Sequence, residues 1–305
     1  MQAAIGHNGA ISWTKSFGLA DVAGQHAVRD TTTFHLASLT KLFGTVVLLR
    51  LVDSGLVSLD DPVSSWGVTV PSSGIVRVRH LLSMTSSGSP PGSRFAYDGD
   101  RFALLDTVIR RVSGRQFADL VTQWVIRPLA LTRTAPNVDN NAFGFSGLDA
   151  ATYRATLARP YAVQGSAVTL TTYPTLFGVA AGMMGTATDV VRFAQALDSG
   201  TVLRSAMRDL MFTPTVTGTG ATLPYAFGCF SQEYGGVRVI WAYGLWTANS
   251  SLLIHVPERG LTFAVVANAD RLSADYPLGA GRLLDSPIAQ EFLNAFVLRQ
   301  TISLP

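Results

Sequence analysis

The chain has 305 residues, of which 48% are hydrophobic, and a formal net charge of +3. This length and composition suit an ordinary globular protein that buries a large core in one large or two moderate domains. Basic residues are scattered and do not alternate with aromatic ones, so nothing favours nucleic acid or an anionic membrane as a partner. Apolar stretches are interrupted within about 12 residues, too short for a transmembrane helix.

Other sequence features argue against export and against bound metals. The first residues lack the basic and apolar regions of a secretory signal, which slightly favours a cytoplasmic location over export with a signal already removed. A single cysteine, Cys229, excludes an internal disulfide. The five histidines are widely spaced and fit no metal-ligand pattern, so we expect no metal and no cofactor. The oligomeric state is not indicated.

The chain opens with a predicted β-hairpin. Short runs of alternating apolar residues flank Asn8-Gly9, a dipeptide that is typical of two-residue hairpin turns. Polar residues at 30–33 then precede a helix that is predicted from about Ala37. This helix ends near Gly55, because glycine is a common helix stop.

The middle of the chain is predicted to be mainly helical and the end mainly β. Apolar residues recur at helical spacing in segments 78–84, 101–112, 116–126 and 187–197. A long loop is predicted at 132–185, and its length suggests a functional role. After about residue 222, short runs of β-branched and aromatic residues predict strands at 225–230, 237–241, 251–256 and 261–267. An amphipathic segment at 286–298 predicts a closing helix.

Strands at both ends with helices between them predict an α+β fold. One antiparallel sheet would be built from the two termini and flanked by helices, and a mainly helical region would be inserted in the middle. The predicted sheet domain comprises residues 1–60 with 205–305, and the predicted helical domain comprises residues 61–204. The site would lie at the interface between the two.

Ser38 and Lys41 form a Ser-x-x-Lys sequence at the head of the first predicted helix. Three residues apart, they share one helix face, so the ammonium can reach the hydroxyl. A serine becomes a nucleophile when a base takes its proton, and a lysine can do so if its pKa is lowered. Such a short motif also arises by chance. However, the chain has only two lysines, Lys15 and Lys41, and one of them follows this serine. An arginine at the same position could not serve as the base.

Motifs along the chain, taken in their order, resemble those of the penicillin-recognising serine hydrolases. The similar branch holds class C β-lactamases, D-alanyl-D-alanine peptidases and β-lactamase-like carboxylesterases. The resemblance extends from about residue 3 to 297. Segment 34–41 is similar to the first box of the family, and segment 95–105 holds the second box. The resemblance also rests on segments 51–62, 80–88, 128–134 and 182–189.

The resemblance implies a β-lactamase/transpeptidase-like fold and acyl transfer through a covalent serine ester. Ser38 would be the nucleophile, and Lys41 and Tyr97 would share the proton transfers. Which of the two is the base stays open. The oxyanion hole would consist of the backbone N–H groups of Ser38 and Leu245.

Two positions depart from the family pattern. Gly99 stands where the second box normally has asparagine, and Ala242 stands where the third box has lysine or histidine, although Gly244 is kept. Relatives use these polar groups to hold the amide and carboxylate of the substrate. Because burying an anion without partners is costly, we expect small neutral esters as substrates. Tyr243 and Trp246, beside the third box, are candidate walls of an acyl pocket.

The first hypothesis is therefore a carboxylesterase of β-lactamase fold that acts on a small-molecule ester or lactam. One alternative is a β-lactamase or D-amino-acid peptidase that uses an arginine from elsewhere. Another is a degenerate binding protein, which the intact Ser38, Lys41 and Tyr97 argue against. A Ser–His–Asp triad is disfavoured because the chain has no Gly-x-Ser-x-Gly elbow.

Overall fold

The structure is a computed structural model that describes residues 1–137 and 150–298. The strands of these residues are β1 (Gln2–His7), β2 (Ala10–Ser16), β3 (Leu19–Asp21), β4 (His26–Ala27), β5 (Phe34–His35), β6 (Tyr161–Gln164), β7 (Ala167–Leu170), β8 (Met184–Gly185), β9 (Phe230–Tyr234), β10 (Val237–Trp246), β11 (Asn249–Val256) and β12 (Leu261–Ala267). The α-helices are α1 (Thr40–Asp53), α2 (Val78–Leu82), α3 (Gly99–Ala103), α4 (Leu105–Ser113), α5 (Phe117–Val121), α6 (Ala150–Thr156), α7 (Ala187–Asp198), α8 (Ser205–Phe212), α9 (Arg271–Ala274) and α10 (Pro287–Phe296).

Six strands form one antiparallel sheet in the order β2-β1-β12-β11-β10-β9. The first strand pairs with the last one, with Gln2 opposite Val266. The expected α+β class and the sheet built from both termini are thus confirmed. The predicted hairpin is also confirmed: Asn8 and Gly9 have φ angles of 50° and 82°, which a type I′ turn requires.

Helices cover both faces of this sheet. An added Cβ on Gly6 of β1 would meet Val191 of α7, so α7 packs closely on that face. Phe292 of α10 stacks on Phe263 of β12. Phe263 is paired with Ile5, the neighbour of Gly6. Because successive residues of a strand point to opposite faces, α10 lies on the other face of the sheet. The sheet therefore lies between α7 and α10. No helix within residues 1–137 and 150–298 has the length and apolar character needed to cross a membrane.

The first helix is the centre of the helical region. Most of α1 is buried, and it packs against α4, α5 and α8. A short 3-10 turn, Ala37–Leu39, precedes α1 and packs on β10 and β11. This turn joins the helical region to the sheet, at the position where the first box was predicted. The division into two domains at residues 61 and 205 stays a prediction.

Several predicted elements were wrong in their extent. The strand predicted at 225–230 begins only at Phe230, because the chain turns at Gly228, whose φ angle is 74°. The strand predicted at 237–241 continues to Trp246. The predicted loop 132–185 contains α6 and the β6–β7 hairpin, and its residues 138–149 lie outside the described residues. The helix α8 was not predicted.

Candidate active site

Ser38 lies in the 3-10 turn that leads into α1. The preceding residue, Ala37, has a φ angle of 46°, a left-handed conformation that costs a residue with a Cβ about 1–2 kcal/mol. The Thr40 hydroxyl donates to the Ala37 carbonyl at 2.7 Å, and the Ser251 hydroxyl donates to the Leu36 carbonyl at 2.8 Å. These two bonds hold the turn. Ser38 is partly exposed between buried neighbours, so the turn presents its hydroxyl to substrate.

Lys41 is buried next to Ser38. Its Nζ atom donates to Ser38 Oγ at 2.7 Å and to the Ala180 carbonyl at 2.8 Å. Burial lowers the pKa of Lys41 to about 7, although the nearby carboxylates of Asp100 and Asp98 oppose this shift. Near neutral pH, a substantial fraction of Lys41 therefore carries a free lone pair that can accept the serine proton.

Tyr97 lies between Ser38 and the aromatic residues of the sheet. Its ring centroid is 5.4 Å from Lys41 Nζ and 5.3 Å from the ring centroid of Tyr243. Burial raises the pKa of Tyr97 above its ordinary value, the neighbouring Tyr243 raises it further, and Ser38 lowers it. The structure thus places the three residues predicted to be catalytic, Ser38, Lys41 and Tyr97, in one cluster, and their catalytic roles stay a prediction.

The end of β10 passes beside the Ser38 turn. Strand β9 pairs with β10 only as far as Trp241, so residues 242–246 extend past β9. A Cβ atom on Gly244 would clash with the Leu36 carbonyl oxygen and come within 3.0 Å of Ala37 Cβ. Glycine therefore allows this close approach, which brings Leu245, the second predicted oxyanion donor, next to the turn that carries Ser38.

A cavity of about 280 Å³ opens beside Ser38 and Lys41. Gly99, Leu245 and Trp246 line it, as do the acidic residues Asp100 and Asp106. The pocket wall predicted at Trp246 lies here, whereas Tyr243 packs on Tyr97. An added Cβ on Gly99 would lie 3.7 Å from Lys41 Nζ, so any side chain at this position would contact the lysine.

Other parts of the described structure do not show this combination of groups. A larger hollow of about 860 Å³ lies at the opposite end of β10, beside Arg238 and Gly260. It does not contain the serine–lysine pair. Within the described ranges, no three His, Cys, Asp or Glu side chains are grouped so that they could hold a metal ion.

Two residues near the site, Asp106 and Gly279, were not predicted from the sequence. Asp106 lines the cavity, and both of its carboxylate oxygens accept from the Val179 N–H, at 3.2 and 3.1 Å. Burial raises the pKa of Asp106 to about 6. In the sequence, Asp106 is marked as an acidic residue next to Leu105, which is buried, in the amphipathic helix α4. Gly279 packs against Tyr243 from a distant segment, and no local pattern marks it.

Comparison with known proteins identifies related sequences. A family model described as Beta-lactamase matches residues 1–286. Penicillin-binding protein 4* of Bacillus subtilis (strain 168) is 24% identical over 315 residues, which cover 86% of this chain and 66% of that protein. A D-aminopeptidase of Brucella canis is 23% identical over 309 residues, which cover 90% of this chain and 57% of that protein. The chain thus spans less than two thirds of the length of these relatives.

Solved structures share the fold. The octameric penicillin-binding protein homologue from Pyrococcus abyssi matches with a TM-score of 0.78 at 18% identity, covering 93% of this chain and 72% of that one. EstCE1, described as a hydrolase with promiscuous acyltransferase activity, matches with a TM-score of 0.71 at 19% identity, covering 92% of both chains. These similarities confirm the fold that the sequence motifs implied.

Proposed function

The chain belongs to the beta-lactamase family of serine hydrolases, and we propose that it hydrolyses small neutral carboxylic esters through an acyl-enzyme on Ser38. One observation carries this proposal: an accessible serine hydroxyl lies 2.7 Å from a buried lysine amine, at the wall of a cavity. The cavity would hold the acyl part of the substrate. EstCE1, which shares the fold, is described as a hydrolase with promiscuous acyltransferase activity, and this description agrees with the proposed acyl transfer.

In the acylation step, Ser38 Oγ attacks the ester carbonyl carbon, and its proton passes to Lys41 or Tyr97. The proton then moves to the leaving alkoxide as its C–O bond breaks, which releases the alcohol. In deacylation, a water molecule attacks the same carbon and gives its proton to the base. The bond between Oγ and the acyl carbon breaks, Oγ regains a proton, and the carboxylic acid leaves.

The proposed oxyanion hole stabilises the negative charge that develops on the carbonyl oxygen in both steps. The backbone N–H groups of Ser38 and Leu245 would donate to this oxygen, and each such donor contributes about 3–4 kcal/mol in comparable hydrolases. Because they belong to the main chain, the departures at Gly99 and Ala242 do not remove them. The chemistry can therefore persist while the substrate preference differs.

The charges around the cavity support a neutral substrate. Asp100 and Asp106 line it, and the lysine that lines it is Lys41, whose pKa is lowered to about 7 by burial. Ala242 and Gly99 have no side-chain donors for a carboxylate. A substrate carboxylate would lose hydration and meet like charges, both of which are unfavourable.

A second candidate is the hydrolysis of amides or esters whose acyl part bears an amino group. The relative from Brucella canis is named a D-aminopeptidase, and Asp106 is the observation that favours the same class here. Its partly buried carboxylate lines the cavity and has no ion-pair partner among the described residues. A substrate ammonium could supply that partner.

One assay separates these functions. Wild type and Ser38→Ala are incubated with p-nitrophenyl butyrate, D-alanine p-nitroanilide and nitrocefin, and turnover is followed by absorbance. We expect the ester to be turned over fastest, with the activity lost in Ser38→Ala. Faster turnover of the anilide would favour the second candidate, and faster turnover of nitrocefin would favour a β-lactamase. Inertness toward all three, with no covalent adduct by mass spectrometry, would indicate a binding protein.

A further inference from the structure

We infer that Leu176 and Trp246 bind the far end of a medium-chain acyl group, so that the preferred substrates are esters of acids such as hexanoic and octanoic acid. This inference rests on the proposed ester hydrolysis at Ser38 and deepens it by naming the acyl group. Both residues line the cavity beside Ser38 and Lys41.

The cavity changes in character from its base to its opening. Lys41 is only 2% exposed and therefore lies at the base. Leu176 is 69% exposed and Leu245 is 40% exposed, so these two lining residues lie at the opening. Leu176 is also the most exposed large apolar side chain of the described ranges. The polar groups needed for the proposed chemistry thus lie below an apolar rim.

This rim differs from the scattered apolar residues of an ordinary surface. A single exposed leucine is common, since much of any protein surface is apolar. Here Leu176, Leu245 and Trp246 come from two distant segments and line one cavity. Trp246 is half-buried but is not among the side chains that pack on the hydrophobic core of the described residues. Apolar side chains that converge on one opening above a few polar groups are typical of a ligand-binding surface.

The backbone around Leu176 is held in place. Asn137 Nδ2 donates to the Pro174 carbonyl at 3.0 Å and to the Leu176 carbonyl at 3.5 Å. Phe177 stacks on the phenylalanine that begins α5, with a centroid distance of 5.5 Å. An added Cβ on Gly182 would lie 2.5 Å from the Leu176 carbonyl oxygen. The exposed leucine thus stands on a packed segment.

Trp246 is also held, at the end of the β10–β11 hairpin. It pairs with Asn249 across the turn, and Asn249 Nδ2 donates to the Thr247 carbonyl at 2.9 Å. Both sides of the rim are therefore fixed before a ligand arrives. An alkyl chain that binds there costs little conformational entropy of the protein.

The size of the expected effect follows from the area that an open rim can cover. Full burial of one methylene group favours binding about fourfold, and contact on one side gives about half of that free energy, which is about twofold. An acetyl group has no methylene and gains nothing. We therefore expect kcat/KM to rise about twofold for each added methylene of the acyl chain until the chain extends beyond the rim.

The first test varies the acyl chain and keeps the leaving group constant. The kcat/KM values of p-nitrophenyl acetate, butyrate, hexanoate and octanoate are measured below the concentrations at which these esters form micelles. In wild type, octanoate should exceed butyrate about sixteenfold, which is twofold for each of four methylenes. In Leu176→Asn, where the side chain is similar in size but polar, this ratio should fall below about fourfold.

Two exposed apolar residues outside the cavity lining supply matched controls. Leu56→Asn should keep the wild-type ratio, because Leu56 is 53% exposed and follows the far end of α1. Trp246→Gln should lower the ratio in the same direction as Leu176→Asn. Trp13→Gln, at an exposed position of β2, is its control and should keep the wild-type ratio.

The second test measures binding without turnover. Methyl butyrate and methyl hexanoate are titrated separately into Ser38→Ala, and Kd is obtained by ligand-observed NMR. We expect methyl hexanoate to bind about fourfold more tightly, which corresponds to two methylenes. Adding Leu176→Asn to Ser38→Ala should remove most of this difference, whereas adding Leu56→Asn should not. Equal affinity of Ser38→Ala for the two methyl esters would contradict the inference.

The outcomes separate this inference from the proposed function. If wild type hydrolyses the esters but does not favour octanoate over butyrate, or if Leu176→Asn keeps the wild-type ratio, the inference is wrong and the ester hydrolysis stands. If Leu176→Asn changes only the chain-length dependence of the alcohol, in a series of alkyl butyrates, the rim binds the leaving group and the inference is also wrong. If wild type hydrolyses none of the esters, the proposed function fails, and this assignment of substrate fails with it.

Discussion

Gly244 of β10 lies against the carbonyl oxygen of Leu36, so closely that a Cβ atom would overlap this oxygen and the Ser251 hydroxyl. Ser251 itself donates to the Leu36 carbonyl at 2.8 Å. The strand and the turn before Ser38 are thus in direct contact. Because Leu245 follows Gly244, this contact controls where the two proposed oxyanion donors lie relative to each other.

Gly244→Ala should therefore damage catalysis more than substrate binding. The methyl group must push β10 away from the turn, and the loss of one oxyanion donor typically lowers kcat about 100-fold or more. We expect such a loss in p-nitrophenyl butyrate hydrolysis, with a smaller change in KM. Gly218→Ala is the control, since an added Cβ there meets nothing within 4 Å. A kcat near that of wild type would show that the contact is not needed.

The local elements of the fold were predictable because their signals are local. Asn8-Gly9 tolerates the positive φ angles of a hairpin turn, and strand 261–267 is rich in β-branched and aromatic residues. The pairing of Ser38 with Lys41 followed from the helical spacing of three residues. These features depend on neighbours along the chain, so one sequence suffices to identify them.

Features that depend on distant segments could not be predicted in the same way. The left-handed conformation of Ala37 has no sequence signal, because it is imposed by contacts with β10 and Ser251. The contact of Gly279 with Tyr243 joins two segments that are separate in the chain. The strand predicted at 225–230 failed because Gly228 packs closely on Thr45 of α1 and turns the chain there.

The lowered pKa of Lys41 predicts a pH dependence of the proposed reaction. If neutral Lys41 accepts the serine proton, kcat/KM for the ester rises with pH through about 7 and then levels off, because the amine loses its proton in that range. Lys41→Arg should abolish this activity, since arginine stays charged. Lys15→Arg, on the exposed strand β2, should behave like wild type. A rate that is constant between pH 6 and 8 would argue against Lys41 as the base.

His35 predicts a pH dependence of stability. It is fully buried, its ring centroid lies 4.1 Å from that of Tyr173, and neither ring nitrogen has a hydrogen-bond partner among the described residues. Burial lowers the pKa of His35 from 6.5 to about 4. Between these values the unfolded chain binds a proton that the folded chain does not, so this contribution to stability is lost as pH falls from about 6.5 to 4.

Replacing this imidazole by a ring that cannot titrate should remove the effect. We expect the melting temperature of His35→Phe to fall less than that of wild type between pH 6.5 and 4. His7→Phe, at an exposed position, is the control and should keep the wild-type slope. Parallel curves for wild type and His35→Phe would show that His35 does not contribute to acid sensitivity.

Asp106 predicts which acyl groups the cavity rejects. Its carboxylate faces the space beside Ser38, and burial raises the pKa of Asp106 to about 6, so it is mostly ionised at pH 8. We expect wild type to prefer p-nitrophenyl butyrate over the mono-p-nitrophenyl ester of glutaric acid, because the second substrate carries a carboxylate. Asp106→Asn keeps an oxygen that can accept from Val179 N–H, and it should reduce this preference about tenfold at pH 8.

The same experiment contains its own pH test. Comparing wild type with Asp106→Asn at one pH cancels the titration of Lys41, which both proteins contain. At pH 5, Asp106 of wild type is mostly protonated, so wild type and Asp106→Asn should then show similar preferences. Asp119→Asn, on α5 and outside the cavity lining, should match wild type at both pH values. A preference that is the same in wild type and Asp106→Asn at pH 8 would mean that this carboxylate does not contribute to acyl-group selection.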